Sequence, residues 1–112
     1  MKRKKEYKLT PAQILLAVHL AELKIATLPE FTFSPLRRFR FDLANKMRQI
    51  GFEISGGEFS GGHRRGKAIR SDYEKLNLAQ AFGWRVFTFT NQQVLTGEAQ
   101  EFVRRYIAPE FS

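Results

Sequence analysis

The apolar residues near the start of the chain recur at helical spacing. Thr10, Pro11 and Gln13 form a segment typical of a capping box at a helix start. Apolar side chains then follow every three or four residues as far as Ile25. The pattern predicts a first helix over about 10–26.

Alternating patterns come next. Pro29 is expected to end the helix, and a short strand over 31–33 follows, closed by Pro35. From 37 to 44 the residues alternate with period two, which predicts a half-buried strand. Its predicted faces are Phe39, Phe41 and Leu43 on the apolar side and Arg38, Arg40 and Asp42 on the polar side.

A second alternating segment, 50–55, is the expected hairpin partner of this strand. Its apolar side chains share one face, and Glu53 points the opposite way. With a four-residue loop at 46–49, residues whose numbers sum to 95 stand opposite each other. The predicted pairs are Leu43 with Phe52, Phe41 with Ile54, and Asp42 with Glu53.

The second half of the chain predicts a loop, a helix, a strand and a helix. Five of the eight glycines fall between 56 and 66, which predicts a long basic loop. A second helix is expected over 68–83 with Gly83 as its C-terminal cap, then a strand over 84–90 with apolar groups on both faces, and an amphipathic helix over 96–107. The predicted buried stripe of the second helix consists of Ile69, Tyr73, Leu76 and Ala79 or Gln80.

These elements define an α/β fold in one domain. The predicted order is a helix, a three-stranded antiparallel meander, a crossover helix, a fourth strand and a C-terminal helix. A right-handed crossover places strand 84–90 parallel to strand 50–55. The 112 residues, 43% of them hydrophobic, suit a single domain over 1–112, with 1–9 as a flexible basic arm.

Charge points to a polyanionic partner. Nineteen Lys and Arg against eleven Asp and Glu give a net charge of +8, so nucleic acid is the leading candidate. A ribosome-associated protein and a basic surface kept for solubility are the alternatives, and composition alone favours RNA or DNA binding over catalysis. Without cysteine, thiolate zinc sites and thiol nucleophiles are excluded, and a metal would have oxygen ligands. No segment is typical of a membrane span or signal peptide, so the expectation is a cytoplasmic protein without a membrane partner.

The opposed pair of Asp42 and Glu53 is the candidate chemical centre. Like charges facing each other across two strands are destabilising, so the pair needs a shared proton or a cation. A hard divalent cation such as Mg²⁺ suits two carboxylates together with phosphate oxygens. The alternative is that Arg38 or Arg40 neutralises both acids in a surface ion-pair network.

Four segments of the chain form a distinctive combination of motifs. They are Phe33–Asp42 (FSPLRRFRFD), Glu53–Gly57 (EISGG), Asp72–Asn77 (DYEKLN) and Gly83–Thr90 (GWRVFTFT). Together they resemble the PD-(D/E)XK nuclease superfamily, in particular small endonuclease-like proteins of phages and bacteria related to very-short-patch-repair endonucleases and Holliday-junction resolvases. The resemblance covers about residues 30–92 and implies a restriction-endonuclease-like core.

The resemblance implies residue roles and a reaction. Asp42 and Glu53 would bind Mg²⁺, or Mn²⁺ in its place, with the Ile54 carbonyl as third ligand. The sequence has Ser55 where the superfamily usually has lysine, and Lys75 is the candidate for a migrated catalytic lysine. The alternative for Lys75 is an ion pair with Asp72, three residues away on a solvated helix face.

The expected function is therefore Mg²⁺-dependent hydrolysis of DNA phosphodiesters. A catalytically inactive nucleic-acid-binding module with the same fold is the alternative, and an RNA-binding protein is a third reading. His63 would contact phosphate or transfer a proton. Symmetric double-strand or junction cutting needs two active sites, which a homodimer would provide. The expected DNA-contacting residues are Arg37, Arg38, Arg40, His63, Arg64, Arg65, Lys67 and Arg70.

Overall fold

The computed structural model describes residues 8–34, 36, 38–55 and 67–112, with the side chains of 67–69 excepted. The predicted basic arm at 1–9, except its last two residues, and the glycine-rich loop at 56–66 lie outside this range. The elements are α1 (Pro11–Glu22), β1 (Leu28–Thr32), β2 (Arg40–Asn45), β3 (Ile50–Ser55), α2 (Lys67–Ala81), β4 (Arg85–Thr90), α3 (Asn91–Leu95), α4 (Glu98–Tyr106) and a 3₁₀ turn (Ala108–Phe111).

The four strands form one mixed sheet in the order β1-β2-β3-β4. The first three strands are antiparallel neighbours, and β4 pairs with β3 in parallel. Leu43 stands opposite Phe52, as the predicted register requires. The α/β class, the meander and the parallel fourth strand are therefore confirmed.

The first helix begins as predicted and ends earlier. Thr10 Oγ1 accepts the Gln13 N–H at 3.1 Å and Gln13 Oε1 accepts the Thr10 N–H at 3.2 Å, which is a complete capping box. The predicted end near 26 is wrong because Lys24 adopts a left-handed backbone conformation, with φ of +65°. Pro29, the predicted helix stop, lies within β1.

The predicted helix over 96–107 is shorter, and a separate short helix precedes it. α3 starts directly after β4 with a second capping box, made by Thr90 and Gln93. Gly97, with φ of +86°, then separates α3 from α4.

Two apolar clusters hold helices on both faces of the sheet. The first joins α1, α3 and α4 to one face. The second lies on the opposite face, between the sheet and α2, and is rich in aromatic rings. Its buried members are Phe33, Phe41, Ala44, Ala79 and Trp84.

Strand β2 buries its apolar side chains on one face of the sheet before Asp42 and on the opposite face directly after it. The predicted common face of Phe39, Phe41 and Leu43 is wrong, because Leu43 packs in the first cluster and the other two pack in the second. The backbone explains this change. On β1, Glu30 lies opposite Asp42 and has φ of +51°, and on the other side the pairing of β2 with β3 extends only to Leu43. The predicted pairings of Asp42 with Glu53 and of Phe41 with Ile54 are accordingly not part of this ladder.

The predicted buried stripe of α2 is confirmed at Ala79, which is fully buried, and wrong at Tyr73 and Leu76, which are 63% and 37% exposed. The side chain of Ile69 lies outside the described residues. The half-buried residues of the first turns include Asp72 and Lys75. The side of α2 that approaches the sheet is therefore polar near its start and apolar near its end.

Across the part of the chain that the structure describes, no helix combines the length and the apolar character needed to cross a membrane.

Candidate active site

Asp42 and Glu53 meet where the ladder between β2 and β3 stops. The Asp42 N–H donates to Glu53 Oε2 at 3.0 Å, and the Ile54 N–H donates to Asp42 Oδ2 at 2.7 Å. Each carboxylate thus accepts a backbone N–H of the opposite strand, in place of regular strand pairing. These hydrogen bonds fix both acids side by side at this level of the sheet.

Both carboxylates line one cleft of about 410 Å³ between the sheet and α2. Glu53 stands on the face toward α2, in register with Thr88 of the neighbouring strand. Sequence reasoning did not assign a site role to Asp72 or Thr88. The polar residues of the cleft are Asp42, Glu53, Ser55, Asp72, Lys75 and Thr88.

Lys75 reaches across from α2 to Glu53. Its ammonium forms an ion pair with Glu53 Oε1, and the two side chains are only 20% and 19% exposed. The Lys75 Nζ also lies 5.8 Å from the centre of the Phe41 ring, within cation–π range. Lys75 is therefore part of the carboxylate cleft and is not on a solvated helix face.

The environment of Glu53 raises the pKa of this carboxyl above its ordinary value of 4.5. Burial is the main cause, because it penalises the charged form. The Lys75 ammonium lowers the pKa, the neighbouring Asp42 charge raises it, and the hydrogen bond from Asp42 lowers it. Burial outweighs Lys75, so Glu53 holds its proton more tightly than an exposed glutamate does.

The structure describes only some of the predicted DNA-contacting residues. Arg38 precedes β2 and is exposed, as is Arg70 on α2, and Lys67 begins α2. Arg40 lies 3.9 Å from Glu30 in an ion pair. At Glu53 the contacting cation is Lys75 of α2. Arg37, His63, Arg64 and Arg65 lie outside the described residues.

Gln13 is a site neighbour whose contact with Asp42 the sequence reasoning missed. Its side chain is part of the α1 capping box, and its Nε2 donates to the Asp42 carbonyl at 2.9 Å. Gln13 is 4% exposed. A second cleft, of about 330 Å³, lies between the first turn of α1 and Asp42. The capping pattern predicted the local role, but a contact across 29 positions leaves no trace in sequence spacing.

The donors around Asp42 and Glu53 suit a hard cation. The cleft offers carboxylate and hydroxyl oxygens. In the described part of the chain, no three His, Cys, Asp or Glu side chains converge as a metal cage. Mg²⁺ uses one or two carboxylates and completes its octahedron with water or phosphate oxygens, so this donor set fits Mg²⁺ better than zinc.

Comparisons with known proteins show the fold. No protein-family model matches the chain, and no curated protein matches it. Among solved structures, the chain is similar to the catalytic domain of the homing endonuclease I-Bth0305I, with a TM-score of 0.69 and 14% identity. The match covers 92% of this chain and 99% of that domain. The chain thus has the fold of a nuclease domain, a restriction-endonuclease-like α/β core.

Proposed function

We propose that this protein is a metal-dependent DNA endonuclease of the PD-(D/E)XK type. The observation that carries the proposal is the convergence of Asp42 and Glu53 in one cleft, each held by a backbone N–H of the other strand, with Lys75 beside them. The nuclease fold shared with a homing endonuclease domain supports it, as does the net charge of +8.

In this proposal Asp42, Glu53 and the Ile54 carbonyl hold one Mg²⁺, or Mn²⁺ in its place. The bound cation would supply Lewis acidity, which withdraws charge from a phosphate oxygen and makes water a better nucleophile. The backbone hydrogen bonds to Asp42 and Glu53 keep the two carboxylates close without a large entropic cost on binding. Burial raises the pKa of Glu53, whereas a cation ligates only the ionised carboxylate, so metal binding opposes the effect of burial on this group.

Lys75 is the proposed catalytic lysine. Its ammonium lies in the cleft, where it can donate to a phosphate oxygen of bound DNA and stabilise the charge that develops during hydrolysis. Ser55 of β3 occupies the position where the superfamily usually has this lysine, so α2 supplies the ammonium group in its place. The contact between Lys75 and Glu53 supports this assignment.

DNA is the proposed substrate, and phosphate contacts are the proposed source of affinity. The contacts would come from Arg38, Arg40, Arg70 and Lys67, and from Arg37, His63, Arg64 and Arg65 of the sequence outside the described residues. Arginine and lysine bind phosphates regardless of base sequence, so these residues position DNA and do not read it.

The test is a nicking assay on supercoiled DNA with wild-type protein, Asp42→Asn and Glu53→Gln. Both substitutions keep side-chain size and remove a ligand charge. We expect Mg²⁺-dependent nicking by the wild type and loss of nicking in both variants, with DNA binding in EDTA retained because neither acid attracts phosphate. Glu101→Gln is the control, since it makes the same chemical change on the exposed surface of α4.

Two results would refute the proposal. DNA binding by the wild type without metal-dependent nicking would identify a binding module that retains the fold. Preference for RNA, unaffected by the changes at Asp42 and Glu53, would identify an RNA-binding protein.

A further inference from the structure

The first turn of α1 is joined to the candidate active site by one buried side chain. Gln13 is 4% exposed, and its Nε2 donates to the Asp42 carbonyl at 2.9 Å. Its Oε1 accepts the Thr10 N–H, so the same amide also caps the helix. Gln13 therefore connects a helix on one face of the sheet to the backbone of a residue that lines the cleft on the other.

Capping alone does not explain this contact. The chain contains a second capping box of the same composition at the start of α3, formed by Thr90 and Gln93. There the Nε2 of the glutamine donates to Glu98, an exposed surface carboxylate, at 2.8 Å. The box fixes the glutamine oxygen, and its amide nitrogen remains available for another acceptor. In α1 that acceptor is the main chain of Asp42.

The contact falls where β2 needs support. In the part of the chain that the structure describes, the pairing between β2 and β3 extends only to Leu43. On β1, Glu30 lies opposite Asp42 and has φ of +51°. The Asp42 carbonyl lies at this interruption, where regular strand pairing alone does not fix the backbone. The hydrogen bond from the Gln13 amide to this carbonyl limits the rotation of the Asp42 backbone.

We propose that Gln13 is a positioning residue for the metal-binding carboxylate of Asp42. Gln13 does not ligate the cation. It holds the main chain of Asp42 and thereby directs the Asp42 side chain toward the cleft. Groups that orient a ligand typically change metal affinity by about tenfold to a hundredfold when removed. This inference rests on the proposed function, because it assumes a divalent cation at Asp42 and Glu53.

The experiment measures Mn²⁺ binding by calorimetry in Gln13→Met, together with thermal unfolding and nicking. Methionine keeps the length of the side chain and removes its donor. We expect the Kd for Mn²⁺ to rise about tenfold. Nicking at low Mn²⁺ should fall with unchanged KM for DNA and recover at high Mn²⁺, a rescue that loss of folded protein would not give. Gln13→Asn, which stays polar but is too short to reach both partners, replaces it if Gln13→Met does not fold.

Two control variants separate positioning from helix capping. Thr10→Ala weakens the same cap and keeps the Gln13 amide, and Gln93→Met removes the equivalent side chain from α3. Both should lower the unfolding temperature and leave Mn²⁺ affinity unchanged. Wild-type Mn²⁺ affinity in folded Gln13→Met, or an equal loss in all variants, would overturn the positioning role while the proposed function stands. Absence of Mn²⁺ binding and nicking in the wild type would overturn both.

Discussion

The ionisation of Glu53 depends on the fold. Burial opposes its charge, while the Lys75 ammonium favours it, and the net effect is a raised pKa. In the unfolded chain the same carboxyl titrates near its ordinary value. Folding therefore favours the protonated form of Glu53, and a divalent cation would favour the ionised form.

The first prediction follows from the sign of this shift. With EDTA present, the stabilising contribution of protonated Glu53 is complete below about pH 4.5. It is lost as the pH rises through the raised pKa. The unfolding temperature of the wild type relative to Glu53→Gln should therefore decrease from about pH 4.5 upward, and the stabilisation by added Mg²⁺ should increase over the same range.

Thermal unfolding followed by circular dichroism, with and without Mg²⁺, measures both trends. Glu98→Gln, which changes an exposed acid outside the cleft, is the control and should show neither. A temperature difference between wild type and Glu53→Gln that is constant with pH would contradict the raised pKa.

The second prediction concerns Lys75. In Lys75→Met, loss of a donor aimed at the developing charge should reduce nicking at least about a hundredfold. Mn²⁺ affinity should be undiminished or higher, because the substitution removes a cation that competes for Glu53. Calorimetry and a nicking time course measure the two effects separately. Lys46→Met, an equal charge change in the exposed turn after β2, should leave both unchanged, whereas Mn²⁺ affinity that falls with activity would make Lys75 structural.

At the scale of elements, the position of Asp42 depends on how β2 changes its buried face. Phe41 packs against Phe33 and Trp84 at ring-centre distances of 4.3 Å and 5.2 Å. Its ring lies over Gly51 of β3, where a Cβ would be only 2.7 Å from the ring. A glycine in this strand therefore lets an aromatic side chain approach the backbone and orient the segment that carries Asp42.

The third prediction is that Gly51→Ala disturbs both stability and the site. The ring of Phe41 is fully buried and has no free space to enter, so overpacking should cost about 1–3 kcal/mol. Mn²⁺ affinity should also fall, because Phe41 precedes Asp42. Gly97→Ala is the matched control. Gly97 has φ of +86°, so alanine there should lower the free energy of unfolding by about 1–2 kcal/mol. A Cβ at this position would contact no other atom within 4 Å. Denaturant unfolding and calorimetry should show similar destabilisation in both variants and weaker metal binding only in Gly51→Ala.

Sequence patterns predicted the elements better than the faces they bury. Local signals reappear in the structure because they depend on neighbouring residues or a short loop. They are the capping box at Thr10 and the register of β2 with β3 from Leu43 to the turn. The face of β2 was mispredicted because period-two alternation assumes regular pairing, and the interruption opposite Glu30 is a property of three strands together. The face of α2 was predicted correctly at Ala79 but not one to two turns earlier, because apolar spacing favoured Tyr73 and Leu76, whereas Asp72 and Lys75 line the cleft.

At the scale of the whole molecule, the two carboxylates of the cleft lie between the two apolar clusters. Leu43 and Phe52 belong to the cluster under α1, and Phe41 and Trp84 belong to the cluster under α2. Asp42 and Glu53 lie where these strands separate, so the carboxylates are supported from both faces of the sheet. This arrangement keeps the acids in place around a partly buried ion pair while the cleft stays open to a phosphate.

The last prediction concerns the number of strands cut in one encounter. Within the described chain, Asp42 and Glu53 form one cleft, so one molecule should hydrolyse one phosphodiester before it dissociates. Supercoiled DNA should therefore pass through an open-circular form before any linear product appears, with an initial rate proportional to protein concentration. Gel analysis of a time course, at several protein concentrations and with Asp42→Asn as the inactive control, measures both. Immediate linear product, with a rate that rises as the square of the concentration, would instead show that two copies act together on opposite strands, because each copy supplies a single site.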